Sequence, residues 1–130
     1  MLGRSDDELA AYQQVIDDYG QDPASALREW VALALYNKGV RLGMLGRSEE
    51  SVEAYQRVID DYGQDSASAL RELIAKALYN KGVRLRVLGR SEKSVEAYQR
   101  VIDDYGQDPA PALREIVARA LKALQETDIA

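Results

Sequence analysis

The sequence predicts an all-α protein: a solenoid of six antiparallel helices forming one repeat domain over residues 1–130. Three observations carry this expectation. First, Tyr12, Tyr55 and Tyr98 stand 43 residues apart, and units 2–44, 45–87 and 88–130 align with one another until "ALKALQETDIA" replaces "ALYNKGVRLRV" at the end of the third. A repeat of roughly 20–50 residues is the mark of a stacked array, in which each unit buries its apolar face against its neighbours. Second, within a unit the apolar residues recur at spacings of three and four, which is one face of a helix. Third, only 3 residues are proline, and the chain is rich in Ala, Leu, Glu, Arg and Gln, the good helix formers.

The elements follow in order. A first short helix, 5–19, carries Leu9, Tyr12, Ile16 and Tyr19 on one face. Asp22-Pro23 then reads as an N-cap with proline at the first helical position, opening a longer helix over 23–45. Ser48 reads as the cap of the next short helix, 48–62, with Glu49 and Glu50 at its positive end and Val52, Tyr55, Ile59 and Tyr62 on its apolar face. Gly63 stands where a left-handed residue would end that helix, and Asp65 or Ser66 can cap the long helix 66–88. Leu70, Ala77, Leu78, Gly82 and Leu85 form one apolar side of that helix, and Tyr79 and Val83 a second, so it has neighbours on both sides. Gly89 ends it, and Ser91 caps the short helix 91–105. Asp108-Pro109 opens the last long helix, 109–127.

"VIDDYGQD" occurs at 15–22, 58–65 and 101–108 and is mainly punctuation between a short and a long helix. The paired aspartates lie in the last turn of a helix, where negative charge is unfavourable by about 0.3–1 kcal/mol each. Arg57 could offset them in two units, but unit one has Gln14 at that position; only Arg4/Arg47/Arg90 and Arg28/Arg71/Arg114 are basic in all three copies, so the aspartates are expected to meet one of these sets, Asp61 with Arg71 for instance. A calcium loop is not expected, because "DDYGQDSASALRE" lacks the alternating oxygen ligands and the terminal glutamate.

Composition excludes several functions. Cysteine and histidine are both absent, which removes disulfides, thiolate metal sites, zinc centres and Ser-His-Asp or Cys-His chemistry. A net charge of −5 repels phosphate and argues against nucleic acid. No apolar run approaches the roughly 20 residues of a membrane span. "MLGRSDDELA" has no apolar h-region, so a cytoplasmic location is the expectation. No metal and no cofactor is expected. Nor is catalysis, since the paired carboxylates recur at three helix ends with no nucleophile or phosphate-cradling glycine loop.

The stretch "ALYNKGVRLGMLGRSEESVEAYQRVIDDYG" (34–63), and its counterpart at 77–106, resembles a tetratricopeptide repeat. It carries the aromatic-Asn pair Tyr36-Asn37, the small Gly39 where two helices cross, the turn glycine Gly46 and an "EExxExY" run in the second helix. The resemblance covers nearly the whole chain. It implies a right-handed superhelix of helical hairpins, with the long helix first and the short helix second in each. The first short helix then lacks its own partner, and so does the last long one. Some features depart from the family. The period is 43 rather than about 34, the added residues being "QDSASALRE". Lys38 and Lys81 stand where leucine is usual, and Gly63 and Gly106 replace a proline. Copies this alike arise by recent duplication or by consensus design.

The resemblance implies a protein-interaction scaffold that binds a peptide or protein segment on a concave face lined by the long helices. That face would hold Tyr36, Asn37, Val40, Arg41 and Met44, with Tyr79, Asn80, Val83, Arg84 and Val87 as counterparts. Asn37 and Asn80 would hold peptide backbone, and Arg41 and Arg84 a carboxylate. The lysine and second asparagine of the family's carboxylate clamp are missing, so a chaperone-tail ligand is not implied. Tyr12, Tyr55 and Tyr98 belong in the core, Tyr36 and Tyr79 stand between core and site, and Lys38 and Lys81 are expected to be solvated. Trp30, replaced by Leu73 and Ile116, reads as inter-helix packing. The alternative function is self-association. The C-terminus brings polar Lys122, Gln125 and Glu126, but the first helix has no cap, and whatever remains open around Leu9, Tyr12, Ile16 and Tyr19 suits a two-fold homodimer or a swapped hairpin.

Overall fold

A computed structural model describes residues 3–22, 25–64 and 67–129. It contains six helices: α1 (Gly3–Tyr19), α2 (Ser25–Met44), α3 (Ser48–Tyr62), α4 (Ser68–Val87), α5 (Ser91–Tyr105) and α6 (Pro111–Ile129). The long helices α2, α4 and α6 stack on one another in one layer. On their other side α3 lodges between α2 and α4, and α5 between α4 and α6, while α1 packs on α2 alone. Among the described residues the backbones of α3 and α5 do not touch, and an ion pair from Arg90 to Glu49 bridges them.

The crossings of α2 with α3 and of α4 with α5 are each built around a glycine. At Gly39 an added Cβ would lie 2.5 Å from the Tyr55 ring, and at Gly82 it would lie 2.6 Å from the Tyr98 ring. The missing side chain thus lets a buried tyrosine lie directly on the facing backbone. A buried serine fastens the same crossing: Ser51 Oγ donates to the Gly39 carbonyl at 2.6 Å, and Ser94 Oγ to that of Gly82 at 2.8 Å. Tyr55 and Tyr98 are core residues as expected, and Tyr12 packs half-buried against the same core.

The turns correct several expectations. Gly46 and Gly89 have φ of +77° and +76°, and each closes its long helix in a Schellman arrangement: Arg47 N–H bonds to Leu42 O, and Arg90 N–H to Leu85 O, both at 2.9 Å. Gly63 and Gly106, expected to be left-handed, are right-handed at φ −62° and −60°. Glycine is favoured there for another reason: a Cβ on Gly63 would press to 2.3 Å from the Ile59 carbonyl. Ser48 and Ser91 are the first helical residues rather than caps; Arg47 and Arg90 occupy the cap positions without a side-chain capping bond. At α6 it is Pro111, not Pro109, that opens the helix, while Asp108 Oδ1 accepts from Ala110 N–H at 2.9 Å. The caps expected at Pro23, Asp65 and Ser66 lie outside the described residues.

The paired aspartates find partners within their own helices. Gln13, Gln56 and Gln99 donate to the first aspartate of each pair four residues on, at 2.8–3.0 Å. Gln14 donates to Asp18, while Arg57 and Arg100 pair with Asp61 and Asp104. Arg71 instead pairs with Asp108, the third aspartate of the motif in the following unit. Lys38 and Lys81, expected to be solvated, are half-buried and donate to Gln13 and Gln56. Burial pushes the Lys81 ammonium below its usual range. Trp30 does not pack between helices: it is 61% exposed.

Candidate functional site

The layer of long helices carries the residues expected at a ligand face. Tyr36 and Tyr79 are half-buried, each resting on the core tyrosine of the following helix, with ring centroids 5.8 Å apart for Tyr36–Tyr55 and 5.6 Å for Tyr79–Tyr98. They are therefore both wall and core. Asn80 Nδ2 donates to the Tyr36 hydroxyl at 3.0 Å, bridging α4 to α2 and aligning the two helices along this face.

Two hollows meet at Asn80. One, of about 310 Å³, runs between α4 and α6 and includes Tyr36, Lys76, Tyr79, Ile116 and Arg119 in its walls. The other, of about 200 Å³, lies between α2 and α4 and is lined by Val40, Met44, Val83 and Arg84. Met44 and Val87 project into solvent, with Met44 at 70% exposure. Tyr36, Val40, Met44, Tyr79, Asn80, Val83 and Arg84 are thus brought to one surface. Asn37 and Arg41 lie on the same layer nearer the first helix and line neither hollow.

The arginines already have partners within the chain. Arg41 Nε pairs with Glu8 of α1 at 2.6 Å, and its Nη1 reaches Met44 Sδ at 3.7 Å. Arg84 Nη1 donates to the Gly43 carbonyl at 3.2 Å. Both guanidinium groups already serve the packing of α1 on α2 and of α4 on α2.

The self-association residues are placed unevenly. Ile16 is buried in the core of the chain itself, Leu9 and Tyr12 are half-buried, and only Tyr19, at 41%, is open. The exposed apolar surface at this end lies instead at Trp30 and at Leu33, the latter 48% exposed. Leu33 was missed, although one signal was available: its counterparts Lys76 and Arg119 are charged, so this position faces water in the other units.

A further cleft, of about 420 Å³, lies on the opposite side between α3 and α5, with Lys81 at its floor and Gln56, Arg90, Lys93 and Arg100 among its walls. Among the described residues no group of acidic side chains is arranged to hold a metal ion, and no helix is long and apolar enough to cross a membrane.

Comparison with known proteins agrees with this architecture. No curated protein and no solved structure matches the chain. The family profile of the tetratricopeptide repeat matches residues 32–65 and 73–108, more than half of the sequence, and each match takes in the greater part of a long helix, its glycine turn and the following short helix. Repeats of this kind generally mediate protein–protein interaction. The chain belongs to the tetratricopeptide repeat family.

Proposed function

We propose that the protein is a non-catalytic interaction module that holds a peptide or protein segment along its layer of long helices. The observation that carries this reading is the pair of hollows joined at Asn80, with apolar Val40, Met44 and Val83 on one side and Tyr36 and Tyr79 on the other. An extended peptide offers its backbone to the Asn80 carbonyl oxygen, which is left over once the amide nitrogen is bonded to Tyr36. Its side chains enter the hollows, where rigid tyrosine rings supply contact area at low entropic cost. With Arg41 and Arg84 engaged, recognition rests on backbone and apolar contacts rather than on a terminal carboxylate.

The test is selection of binders from a random peptide library, followed by calorimetry on variants. Met44→Glu and Val83→Glu should abolish binding of the selected peptides, while Trp30→Glu, on the edge of α2, leaves it unchanged. A selection that yields no peptide, or peptides indifferent to both glutamates, would refute the proposal.

A further inference from the structure

The two ends of the helix stack expose complementary halves of an interface that the chain already uses twice internally. In α3 and α5, Ala54/Ala97, Val58/Val101 and Tyr62/Tyr105 are buried. Their α1 counterparts are Ala11, Val15 and Tyr19. Here Ala11 is exposed, Val15 half-exposed and Tyr19 open. The difference is that α3 and α5 each have a long helix before them and α1 has none among the described residues. The same holds for α2. Ile116 of α6 is buried against the preceding long helix, and Leu73 of α4 half-buried, while Trp30 at that position of α2 stands in solvent.

The far end shows the converse. Val31/Ile74, Ala32/Ala75 and Leu35/Leu78 are almost wholly buried in α2 and α4, where a short helix follows. On α6 the counterpart Val117 is half-buried, Ala118 exposed and Leu121 47% exposed. Within the chain, surfaces of these two kinds pack on each other between units one and two and again between units two and three.

Charge follows the same pattern. Arg71 of α4 pairs with Asp108 at the head of the next unit and stands beside Tyr105. The counterpart of Arg71 at the tail is Arg114, exposed on α6; the counterpart of Asp108 at the head is Asp22, also exposed. A second copy added head to tail brings Tyr19 to Arg114 as Tyr105 is brought to Arg71.

We infer that copies of this chain associate head to tail, the α1–α2 end of one seating on α6 of the next through Tyr19, Trp30 and Val15 against Val117, Ala118 and Leu121. The interface is heterologous, so pairing leaves a free head and a free tail, and association continues past the dimer into a stack. Gln125 sets its strength. It stands where Gly39 and Gly82 admit a tyrosine ring, so Tyr12 of the incoming copy cannot sit as close as Tyr55 and Tyr98 do. Contact is therefore confined to the part of α6 before Gln125, and association is weak.

The experiment uses two variants of the full chain, each altered at an exposed site: Trp30→Glu, with a spoiled head and no tryptophan at all, and Leu121→Glu, with a spoiled tail. Circular dichroism checks that both keep the wild-type helix content. The unaltered chain should rise in mass past twice 14.5 kDa, without a plateau at the dimer, as concentration is raised from about 10 μM to about 1 mM. Each variant alone should stay monomeric. Titrating Trp30→Glu into Leu121→Glu should shift the tryptophan emission to shorter wavelength and saturate at one to one, because the Leu121→Glu chain alone supplies an intact head. The inference is overturned by a wild-type chain that stays monomeric, by a mixture with no emission shift, or by Leu121→Glu forming dimers by itself, which is the behaviour of a symmetric head-to-head pair.

Discussion

Gly39→Ala tests the central claim about this fold, that the helices cross where a glycine admits a tyrosine. The new Cβ would stand 2.5 Å from Tyr55 Cε1, 2.8 Å from Cδ1 and 2.9 Å from Cζ, all well inside contact distance. The ring cannot swing away, because Tyr55 is buried. The helices must therefore separate, and doing so stretches the 2.6 Å bond from Ser51 Oγ to the Gly39 carbonyl. Overpacking of this kind costs about 1–3 kcal/mol. Against it, alanine in a helix interior is worth about 1 kcal/mol over glycine. The net expectation is a loss of about 0–2 kcal/mol.

The net figure alone decides little; its sign in a second background decides more. Tyr55→Ala should itself cost about 3–5 kcal/mol. A chain of 130 residues has of order 6–20 kcal/mol to lose, so the variant stays measurable. With the ring gone, Gly39→Ala should turn stabilising by up to about 1 kcal/mol, since only the propensity term is left. Urea denaturation of the four proteins, followed by circular dichroism, gives the coupling energy, expected at about 1–3 kcal/mol. Coupling below about 0.5 kcal/mol, the level of independent sites, would refute the reasoning. Gly43→Ala, one turn along α2, is the control: its nearest neighbour is the flexible Arg84 side chain at 3.1 Å, and the same position in unit two holds Arg86. It should stabilise by up to about 1 kcal/mol.

Alanine at Gly46 or Gly89 should cost about 1–2 kcal/mol, the price of a left-handed L-residue, measured by the same denaturation. Burial raises the ionisation of the Tyr55, Tyr62, Tyr98 and Tyr105 phenols above the usual range. The folded state therefore holds these protons longer than the unfolded chain, so the stability they confer is present below about pH 10 and is lost as pH rises through the raised values. An absorbance titration should show about half of the eight tyrosines ionising late and together with unfolding, and a single transition of all eight near pH 10 would contradict the burial described. A double-mutant cycle should find no coupling between Asp61 and Arg71, whose partners are Arg57 and Asp108, and coupling of up to about 1 kcal/mol between Arg71 and Asp108.

Much of the fold is legible in the sequence because its signals are local. The spacing of Val52, Tyr55, Ile59 and Tyr62 places α3, and the glycines at 46 and 89 mark the only reversals that need a positive φ among the described residues. What misleads are positions where one residue type serves two geometries. Gly63 looks like a left-handed cap, yet glycine there relieves pressure on a carbonyl in a right-handed turn. Asp61 looks like a partner for a distant arginine, yet Arg57 one turn back reaches it first. In the candidate site the residues are identified by periodicity and by the family pattern, but their commitments are not. Nothing in "YNKGVR" says that Arg41 will be held by Glu8, because Glu8 replaces a serine only in unit one, on a helix 33 residues earlier.

Trp30 shows the deeper limit. By comparison with Leu73 and Ile116 it is a packing residue, and the comparison is correct about the position: that side of a long helix packs against the long helix before it. A repeat sequence reports the average environment of a position, and three aligned copies make the report stronger. It cannot report whether the neighbour is present. Exposure at the ends of a stack is a property of order along the chain, not of residue type, so the same alignment that locates the core of units two and three hides the open edge of unit one. Leu33 is the exception that was readable, because it departs from the copies rather than agreeing with them: an apolar side chain where the other units carry Lys76 and Arg119 marks apolar surface that this end of the stack leaves open to water.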